Sequence, residues 1–317
     1  MSDLRKPGIN DRWIRQQRGK KNQADPFTPY AFLTELERTP GGAIEEVNTI
    51  FLTNRECRFT CLMCDLWKNT TEGTVPEGVI PGQIEWALER LSPAKHIKLY
   101  NSANFFDPGV IPPSDYQRIA DLVKSCETVI VENHPNLTGE LCLQFARMIK
   151  PQLQVAMGLE TIHPGGLQQL NKKMLPGDFS RSVEFLGNNN IDARAFILLR
   201  PPFLSESEGV HWARESINYA FDAGAVCCTI LPTRAGNGAM DQLQKQGHFT
   251  PPELGSLEEV QQYGISLGKG LIFADTWDLQ QISTCEICFE TRKRRMVQMN
   301  LEQVILPPVR CTCSPGL

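Results

Sequence analysis

Residues 47–64 read VNTIFLTNRECRFTCLMC, an apolar run followed closely by three cysteines. The run at 47–53 has the length and the β-branched and aromatic content of a buried strand. Cys57, Cys61 and Cys64 then follow with the spacing CxxxCxxC. Three cysteines so close together after a strand indicate that their thiolates bind one metal centre.

The triad suits a 4Fe-4S cluster that keeps one iron open. Cysteine thiolates are the usual ligands of such clusters. With three protein ligands, the fourth iron is free to bind a small molecule that carries an amine and a carboxylate, and S-adenosylmethionine (SAM) is such a molecule. Structural zinc is the rival interpretation, but zinc prefers four ligands in paired spacings.

The composition is that of an ordinary globular protein. Of the 317 residues, 41% are hydrophobic and 21% are charged, and the net charge of -4 gives no global attraction to nucleic acid. No apolar run reaches about eighteen residues, so we expect no membrane span. The N-terminal stretch MSDLRKPGIN lacks the apolar segment of a secretory signal, so the cytoplasm is the expected location and disulfides are not expected.

Short apolar runs alternate with helical segments along most of the chain. The pattern predicts strands at 47–53, 96–100, 128–131, 153–157, 193–199, 226–231 and 271–274. It predicts helices at 81–91, 114–124, 141–149, 179–186, 208–221 and 250–267. Such alternation favours a parallel sheet built from β/α units. The predicted fold is α/β, a partial (β/α)6 TIM-like barrel with functional groups where its strands end.

The prediction divides the chain into three parts. Residues 1–29 form a basic N-terminal arm, 30–268 form the partial barrel, and 269–317 form a small C-terminal cysteine-rich extension. The arm is rich in basic residues: Arg5, Lys6, Arg12, Arg15, Arg18, Lys20 and Lys21, against Asp3, Asp11 and Asp25. We interpret it as a solvated, partly flexible segment, with contact to RNA phosphates as the alternative.

Through its CxxxCxxC triad the chain resembles the radical SAM superfamily. The strings GLET at 158–161, NKKM at 171–174 and LLRPPFLSE at 198–206 are similar to the branch that contains the Elongator catalytic subunit and archaeosine synthase. The resemblance implies that the triad holds a 4Fe-4S cluster and that SAM binds its open iron. Together they would generate a 5'-deoxyadenosyl radical, while the protein supplies binding and orientation.

The resemblance assigns candidate SAM contacts to the strand ends. Met63 stands at a position that is usually aromatic in the superfamily and whose backbone touches the adenine. Asn101 and Ser102 follow the second predicted strand, where a Gly-Gly-Glu-like segment commonly receives the methionine amino group. The other candidates lie at or after the ends of later strands: Glu132, Glu160, Arg200 and Leu231. His134, which precedes a proline, is interpreted as a structural hydrogen-bonding residue.

A second cysteine cluster lies near the C-terminus. Cys285 and Cys288 form a CxxC pair, and Cys311 and Cys313 form a CxC pair. Four thiolates can close a tetrahedral metal site and anchor a short tail. Zinc and an auxiliary iron-sulfur cluster both accept such ligands. We favour zinc, because the longer cysteine patterns of common auxiliary-cluster domains are absent from the sequence; reduced cysteines without metal are the alternative.

The resemblance implies a radical SAM enzyme and leaves its substrate open. In the archaeosine branch the substrate is a lysine-modified deazaguanine in tRNA that undergoes C-N cleavage, so tRNA is an implied partner, and Glu132 or Glu160 would face SAM or the lysyl ammonium. A small metabolite or a peptide is the alternative substrate. Flavodoxin or ferredoxin is the implied type of electron donor. An interpretation from another class is a non-catalytic, metal-stabilised nucleic-acid-binding protein.

Overall fold

Residues 8–313, the part of the chain that the computed structural model describes, form one sheet of eight strands. Spatial order follows chain order: β1 Ala31–Arg38, β2 Ile44–Leu52, β3 His96–Asn101, β4 Thr128–Glu132, β5 Gln152–Glu160, β6 Asp192–Leu199, β7 Cys227–Pro232 and β8 Leu271–Ala274. β1 runs antiparallel to β2, and each later neighbouring pair is parallel. The parallel strands therefore end together at one edge, here called the carboxyl edge.

Helices connect the parallel strands and pack on the outside of the sheet. The helices are α1 Asp11–Gln17, α2 Val79–Leu88, α3 Tyr116–Val123, α4 Glu140–Met148, α5 Gly166–Gln169, α6 Pro176–Gly187, α7 Glu206–Asp222, α8 Ala239–Lys245, α9 Leu254–Leu267 and α10 Glu286–Glu302. Every parallel crossover contains a helix, because a tight turn cannot join parallel strands. Within residues 8–313 no helix is long and apolar enough to cross a membrane.

The predicted α/β fold is confirmed, since the sheet curls into a half-barrel. The seven predicted strands correspond to β2 through β8, and the six predicted helices correspond to α2, α3, α4, α6, α7 and α9. The sequence pattern does not predict β1, α1, α5, α8 or α10. Helices α1 and α8 have seven residues each, too few to show a clear period, and no residue of β1 is buried.

Helix α10 joins the first strand of the sheet to the last. Arg38 of β1 donates a hydrogen bond from Nη1 to the carbonyl of Leu301 at 3.2 Å. Gln303, which follows the helix, donates from Nε2 to the carbonyl of Ile272 in β8 at 2.7 Å. The helix therefore spans the open side of the half-barrel and links the C-terminal segment to the sheet.

Charged side chains hold β1 against the inside of the barrel. Glu37 of β1 accepts hydrogen bonds from Lys98 and Arg194, each at 2.5 Å. The Lys98 and Arg194 side chains are each only 6% exposed, and Arg194 also donates to Gln154 at 2.9 Å. Since pairing with β2 and these ion pairs hold β1, and no residue of it is buried, hydrophobic periodicity could not reveal it.

Replacing Glu37 with Gln is expected to lower the free energy of unfolding by about 3–5 kcal/mol, because Arg194 would remain buried without a counter-charge and Lys98 would keep only the more exposed Glu35 as its partner. Burial raises the pKa of Glu37, but the charges of Arg194 and Lys98 outweigh it and lower the pKa to about 2. A pKa that is depressed in the folded state contributes stability at pH values above the ordinary pKa of Glu. This contribution is lost as the pH falls towards 2. Denaturant unfolding at several pH values measures both effects.

The control is Glu46→Gln, because Glu46 lies in the neighbouring strand β2 and is exposed. We expect this variant to unfold as the unmodified protein does. A Glu37→Gln variant as stable as Glu46→Gln would contradict the role given to the ion pairs.

Candidate functional site

The cysteine triad lies on the loop after β2, at the carboxyl edge of the sheet. Cys61 is buried, Cys57 and Cys64 are half-buried, and all three are free thiols. Burial is the largest influence on each and raises the pKa to about 11 for Cys57 and Cys61 and about 12 for Cys64. Thiolates are the metal-binding form, so this pocket holds three of them only when a cation compensates their charge. An iron-sulfur cluster fits that requirement.

Side chains from neighbouring loops fix the first half of the triad loop. Asn104, after β3, donates from Nδ2 to the Cys57 sulfur at 3.1 Å. Arg58 donates two hydrogen bonds to Asp107 at 2.7 and 2.6 Å. Asn104 and Asp107 therefore position the loop, and both lie in the turn that sequence reasoning connects with the second predicted strand.

Backbone carbonyls of the loop are fixed from the opposite side. Asn171 donates from Nδ2 to the carbonyl of Thr60 at 2.6 Å. Asn237, after β7, donates from Nδ2 to the carbonyls of Leu62 at 2.7 Å and Cys64 at 3.1 Å. These amides set the path of the backbone through the triad before any ligand binds.

His134 packs against the triad loop. Its ring stacks on Phe59 with centroids 3.9 Å apart. Nδ1 accepts a hydrogen bond from the backbone N–H of Asn136, which leaves Nε2 to donate to the carbonyl of Lys172 at 2.9 Å. Burial, together with the charge of Lys172, lowers the pKa of His134 to about 4. The expected structural role of His134 is confirmed.

The ends of β3 and β4 form a buried polar corner. Asn101 and Ser102 are almost fully buried, and Asn101 Nδ2 has no hydrogen-bond partner among the residues that the structure describes. Glu132 accepts a hydrogen bond from the Asn101 backbone N–H at 3.4 Å. Burial raises the pKa of Glu132 to about 8. An unpaired amide beside a carboxyl group that can hold a proton near neutral pH fits a polar ligand such as SAM.

Two residues that sequence reasoning missed also lie at this edge. Tyr30 lies close enough to Glu132 and Cys64 for their charges to raise its pKa, after the larger effect of burial. Lys172 is buried, and its ammonium lies 2.6 Å from Glu160 Oε1. Lys172 falls within the NKKM string, but no period or spacing in the sequence indicates that its side chain enters the barrel.

The remaining predicted SAM contacts have other surroundings. Arg200, at the end of β6, donates from Nη1 to Glu206 at 2.5 Å and to the carbonyl of Pro251 at 2.9 Å. Met63 and Leu231 pack at the edge of a small apolar cluster that includes Leu62 and Leu198. The structure therefore brings Asn101, Ser102, Glu132 and Glu160 towards the triad, whereas the Arg200 guanidinium is bonded to protein groups.

Helix α1 packs directly on the triad loop. Ile14 is buried, Arg15 donates to the Thr60 hydroxyl at 3.2 Å, and Arg18 pairs with Glu56 at 2.6 Å. The interpretation of the N-terminal arm as a solvated segment is therefore wrong for residues 10–18, because a single turn of apolar side chains anchors it. Asp3, Arg5 and Lys6 lie outside the described residues.

The four C-terminal cysteines converge. The sulfurs of Cys285 and Cys311 are 3.9 Å apart, those of Cys288 and Cys313 are 3.5 Å apart, and all four lie within 4.8 Å of one another. A tetrahedral zinc ion with bonds of ~2.3 Å would place its sulfurs about 3.8 Å apart.

No family model matches the chain. An uncharacterised protein of Methanocaldococcus jannaschii is 22% identical over 96% of this chain and 92% of its own length. The archaeosine synthase subunit beta of Thermococcus kodakarensis is 25% identical over 63% of this chain and 64% of its own length. The subunit beta of Methanosarcina acetivorans is 25% identical over 77% of this chain and 74% of its own length.

Solved structures share the fold. The Elp3 protein of Methanocaldococcus infernus, solved with an N-terminal deletion, matches with a TM-score of 0.51 and 15% identity over 70% of this chain and 58% of that one. Methylornithine synthase matches with a TM-score of 0.52 and 12% identity over 70% of this chain and 63% of that one. The chain thus spans less than two thirds of each solved chain. The relatives named archaeosine synthase subunit beta agree with the predicted resemblance to the archaeosine synthase branch, and the solved structures, at 15% and 12% identity, share the fold.

Replacing Gly158 with Ala is expected to displace the Glu160–Lys172 pair. A Cβ atom at 158 would lie 2.0 Å from Glu160 Oε1 and 2.5 Å from Lys172 Nζ. We expect the free energy of unfolding to fall by about 1–3 kcal/mol, as in other overpacked interiors. Chemical denaturation measures the change.

Gly187→Ala is the control, because a Cβ atom at 187 would meet nothing within 4 Å. Its stability should equal or exceed that of the unmodified protein. Equal losses in the two variants would show that the space over Gly158 is not restricted.

Proposed function

We propose that the chain is a radical SAM enzyme that modifies a nucleoside in RNA. The observation that carries the proposal is the position of the triad: three thiols, one buried and two half-buried, on a fixed loop at the carboxyl edge of a half-barrel. Functional groups of barrel folds of this type gather at that edge. The unpaired Asn101 amide and the Glu132 carboxyl lie at the same edge.

The residues have separate tasks in this proposal. Cys57, Cys61 and Cys64 hold the 4Fe-4S cluster. Asn101 and Glu132 orient SAM by hydrogen bonds, and the protein excludes water by burying this corner. When bound, the cluster and SAM supply the electron and the 5'-deoxyadenosyl group needed to abstract a hydrogen atom from the substrate.

Contacts to SAM are also proposed for the other candidate residues. Met63 and Leu231 would approach the adenine, and Ser102 and Glu160 would face the polar part of SAM or the substrate. Arg200 would do so only after release from Glu206 and Pro251.

Exposed cations around the triad support an RNA substrate. Although the net charge is -4, basic side chains are exposed on α1 and on the loops beside it: Arg12, Arg15, Lys20, Arg55, Arg58 and Lys173. Such a rim can bind phosphates. Two relatives carry the name archaeosine synthase subunit beta, which supports a lysine-modified deazaguanine in tRNA as the substrate and C-N cleavage as the reaction.

In this proposal the three parts of the chain have separate roles, and the arm belongs to the site. In the arm, 1–29, helix α1 covers the triad loop and the basic residues contact RNA. Residues 30–268 carry the cluster. In the extension, 269–317, helix α10 closes the barrel and zinc binds at Cys285, Cys288, Cys311 and Cys313. The word subunit in the relatives' names supports assembly with a second kind of chain. Flavodoxin or ferredoxin is the proposed type of electron donor, and the cytoplasm is the proposed location.

Metal analysis after anaerobic purification and reconstitution tests the cofactors. We expect about four irons and about one zinc per chain, with SAM cleavage when a reductant is added. Replacing Cys57, Cys61 and Cys64 with Ala should remove the iron and SAM cleavage but keep the zinc. Replacing Cys285 and Cys311 with Ser should remove the zinc instead.

Cys126→Ser is the matched control, because Cys126 is a half-buried cysteine after α3 and belongs to neither cluster. It should retain both metals. About eight irons without zinc would replace the zinc assignment with a second iron-sulfur cluster. If the protein binds no iron and does not cleave SAM, the proposed function is wrong and the interpretation as a non-catalytic, metal-stabilised nucleic-acid-binding protein replaces it.

Replacing Arg12, Lys20 and Arg55 together with Gln is expected to weaken tRNA binding and flatten its salt dependence. Each lost phosphate contact should reduce the slope of log affinity against log salt by about 0.9 for duplex regions. Binding titrations at several salt concentrations measure the slope. These substitutions keep α1, whereas deleting the arm would also disturb the triad loop.

The control triple variant replaces Arg90, Lys124 and Lys150, which are exposed ahead of β3, β4 and β5 at the opposite edge. Its slope should match that of the unmodified protein. Equal slopes for the unmodified protein and both triple variants would refute the proposed RNA-binding surface. Mass spectrometry after incubation with SAM, reductant, tRNA and small molecules then distinguishes a modified nucleoside from a modified metabolite.

A further inference from the structure

The Glu160–Lys172 ion pair is buried next to the triad and is held by unusual backbone geometry. Glu160, Asn171 and Lys173 have φ angles of +63°, +52° and +58°, in the left-handed region, which Asn adopts readily but Glu and Lys rarely do. Lys172 lies between two of them. Strain of this kind persists where surrounding contacts enforce it, and it clusters at functional sites.

Other contacts hold the turn that carries Lys172. Asn171 binds the Thr60 carbonyl of the triad loop at 2.6 Å, and the Lys172 carbonyl accepts a hydrogen bond from His134. Gly158 supplies the space in which the Glu160 carboxylate meets the ammonium. The turn therefore holds one cation at a defined place beside the cysteines.

The charge of Lys172 reaches the whole triad. Its ammonium acts on Cys57, Cys61 and Cys64, in each case lowering a thiol pKa that burial raises. Glu160 acts on Cys61, and its carboxylate holds the ammonium at 2.6 Å. Burial alone would lower the pKa of Lys172, but the charges of Glu160 and Cys61 raise it above its ordinary value. Lys172 is therefore a positive charge that is paired with Glu160 and carried by a turn bonded to the triad loop at Thr60.

We infer that Lys172 is a positioning residue that stabilises the reduced state of the cluster, and that Glu160 holds it in place. Reduction adds one electron from the donor to the cluster without forming or breaking a bond with the protein. A fixed nearby cation favours the more negative state, most strongly where water is excluded. Local charge is one of the factors that set iron-sulfur potentials. The inference rests on the proposed function, since it requires a cluster on the triad.

Redox titration of the reconstituted protein, followed by electron paramagnetic resonance, tests the inference. At a fixed potential, Lys172→Met should lower the ratio of reduced to oxidised cluster at least tenfold, a shift of about 59 mV for one electron. Lys172→Arg keeps the positive charge, so its ratio of reduced to oxidised cluster should be close to that of the unmodified protein. Lys173→Met is the control, because Lys173 is the exposed neighbour that pairs with Asp11, and its potential should stay unchanged.

Glu160→Gln gives a second, opposite test. The substitution removes a negative charge and keeps the lysine, so the reduced fraction of the cluster should rise. A purely structural defect would not shift the potentials of Lys172→Met and Glu160→Gln in opposite directions. This variant also decides the question if Lys172→Met does not fold. Four-iron variants with unchanged potentials would overturn the inference and leave the proposed function intact. Failure of the unmodified protein to bind a cluster would instead refute the proposed function.

Discussion

The site depends on three thiols, one buried and two half-buried, whose surroundings oppose ionisation. Around Cys57, Cys61 and Cys64 the protein raises every thiol pKa to about 11 or 12. The protein nevertheless holds the triad loop in a fixed position, as a metal site requires. In the proposed enzyme the metal centre would supply the energy of placing charge in this pocket, so cofactor binding and local folding would be coupled. The half-barrel is the frame that makes such a pocket possible.

The frame acts through the strand ends. Amides after β3, β5 and β7 bind the triad loop from separate sides, through Asn104, Asn171 and Asn237. Helix α1 covers the same loop from outside. The triad therefore shares one edge with the basic rim, and in the proposed function an RNA bound to the rim would lie over the cysteines. The N-terminal segment then belongs to the site as much as to the surface.

Much of the fold can be predicted from the sequence, because β2 through β8 are apolar runs separated by amphipathic helices. β1 cannot, since charges hold Glu37 in place and leave no hydrophobic period. The candidate metal ligands are visible from cysteine spacing alone. Lys172, Tyr30 and the amides cannot be predicted in the same way, because their positions depend on turns that are distant in sequence. The left-handed conformations of Glu160 and Lys173 have no signal in the local sequence.

The central claim is that the triad leaves one iron open for SAM. Electron–nuclear double resonance on the reduced protein, with SAM labelled by a nitrogen isotope at its amino group, tests it most directly. The account predicts a hyperfine coupling between the cluster and the labelled nitrogen, and loss of that coupling when SAM is omitted. A fully loaded cluster that shows no coupling, with a fourth protein side chain on its last iron, would contradict the account.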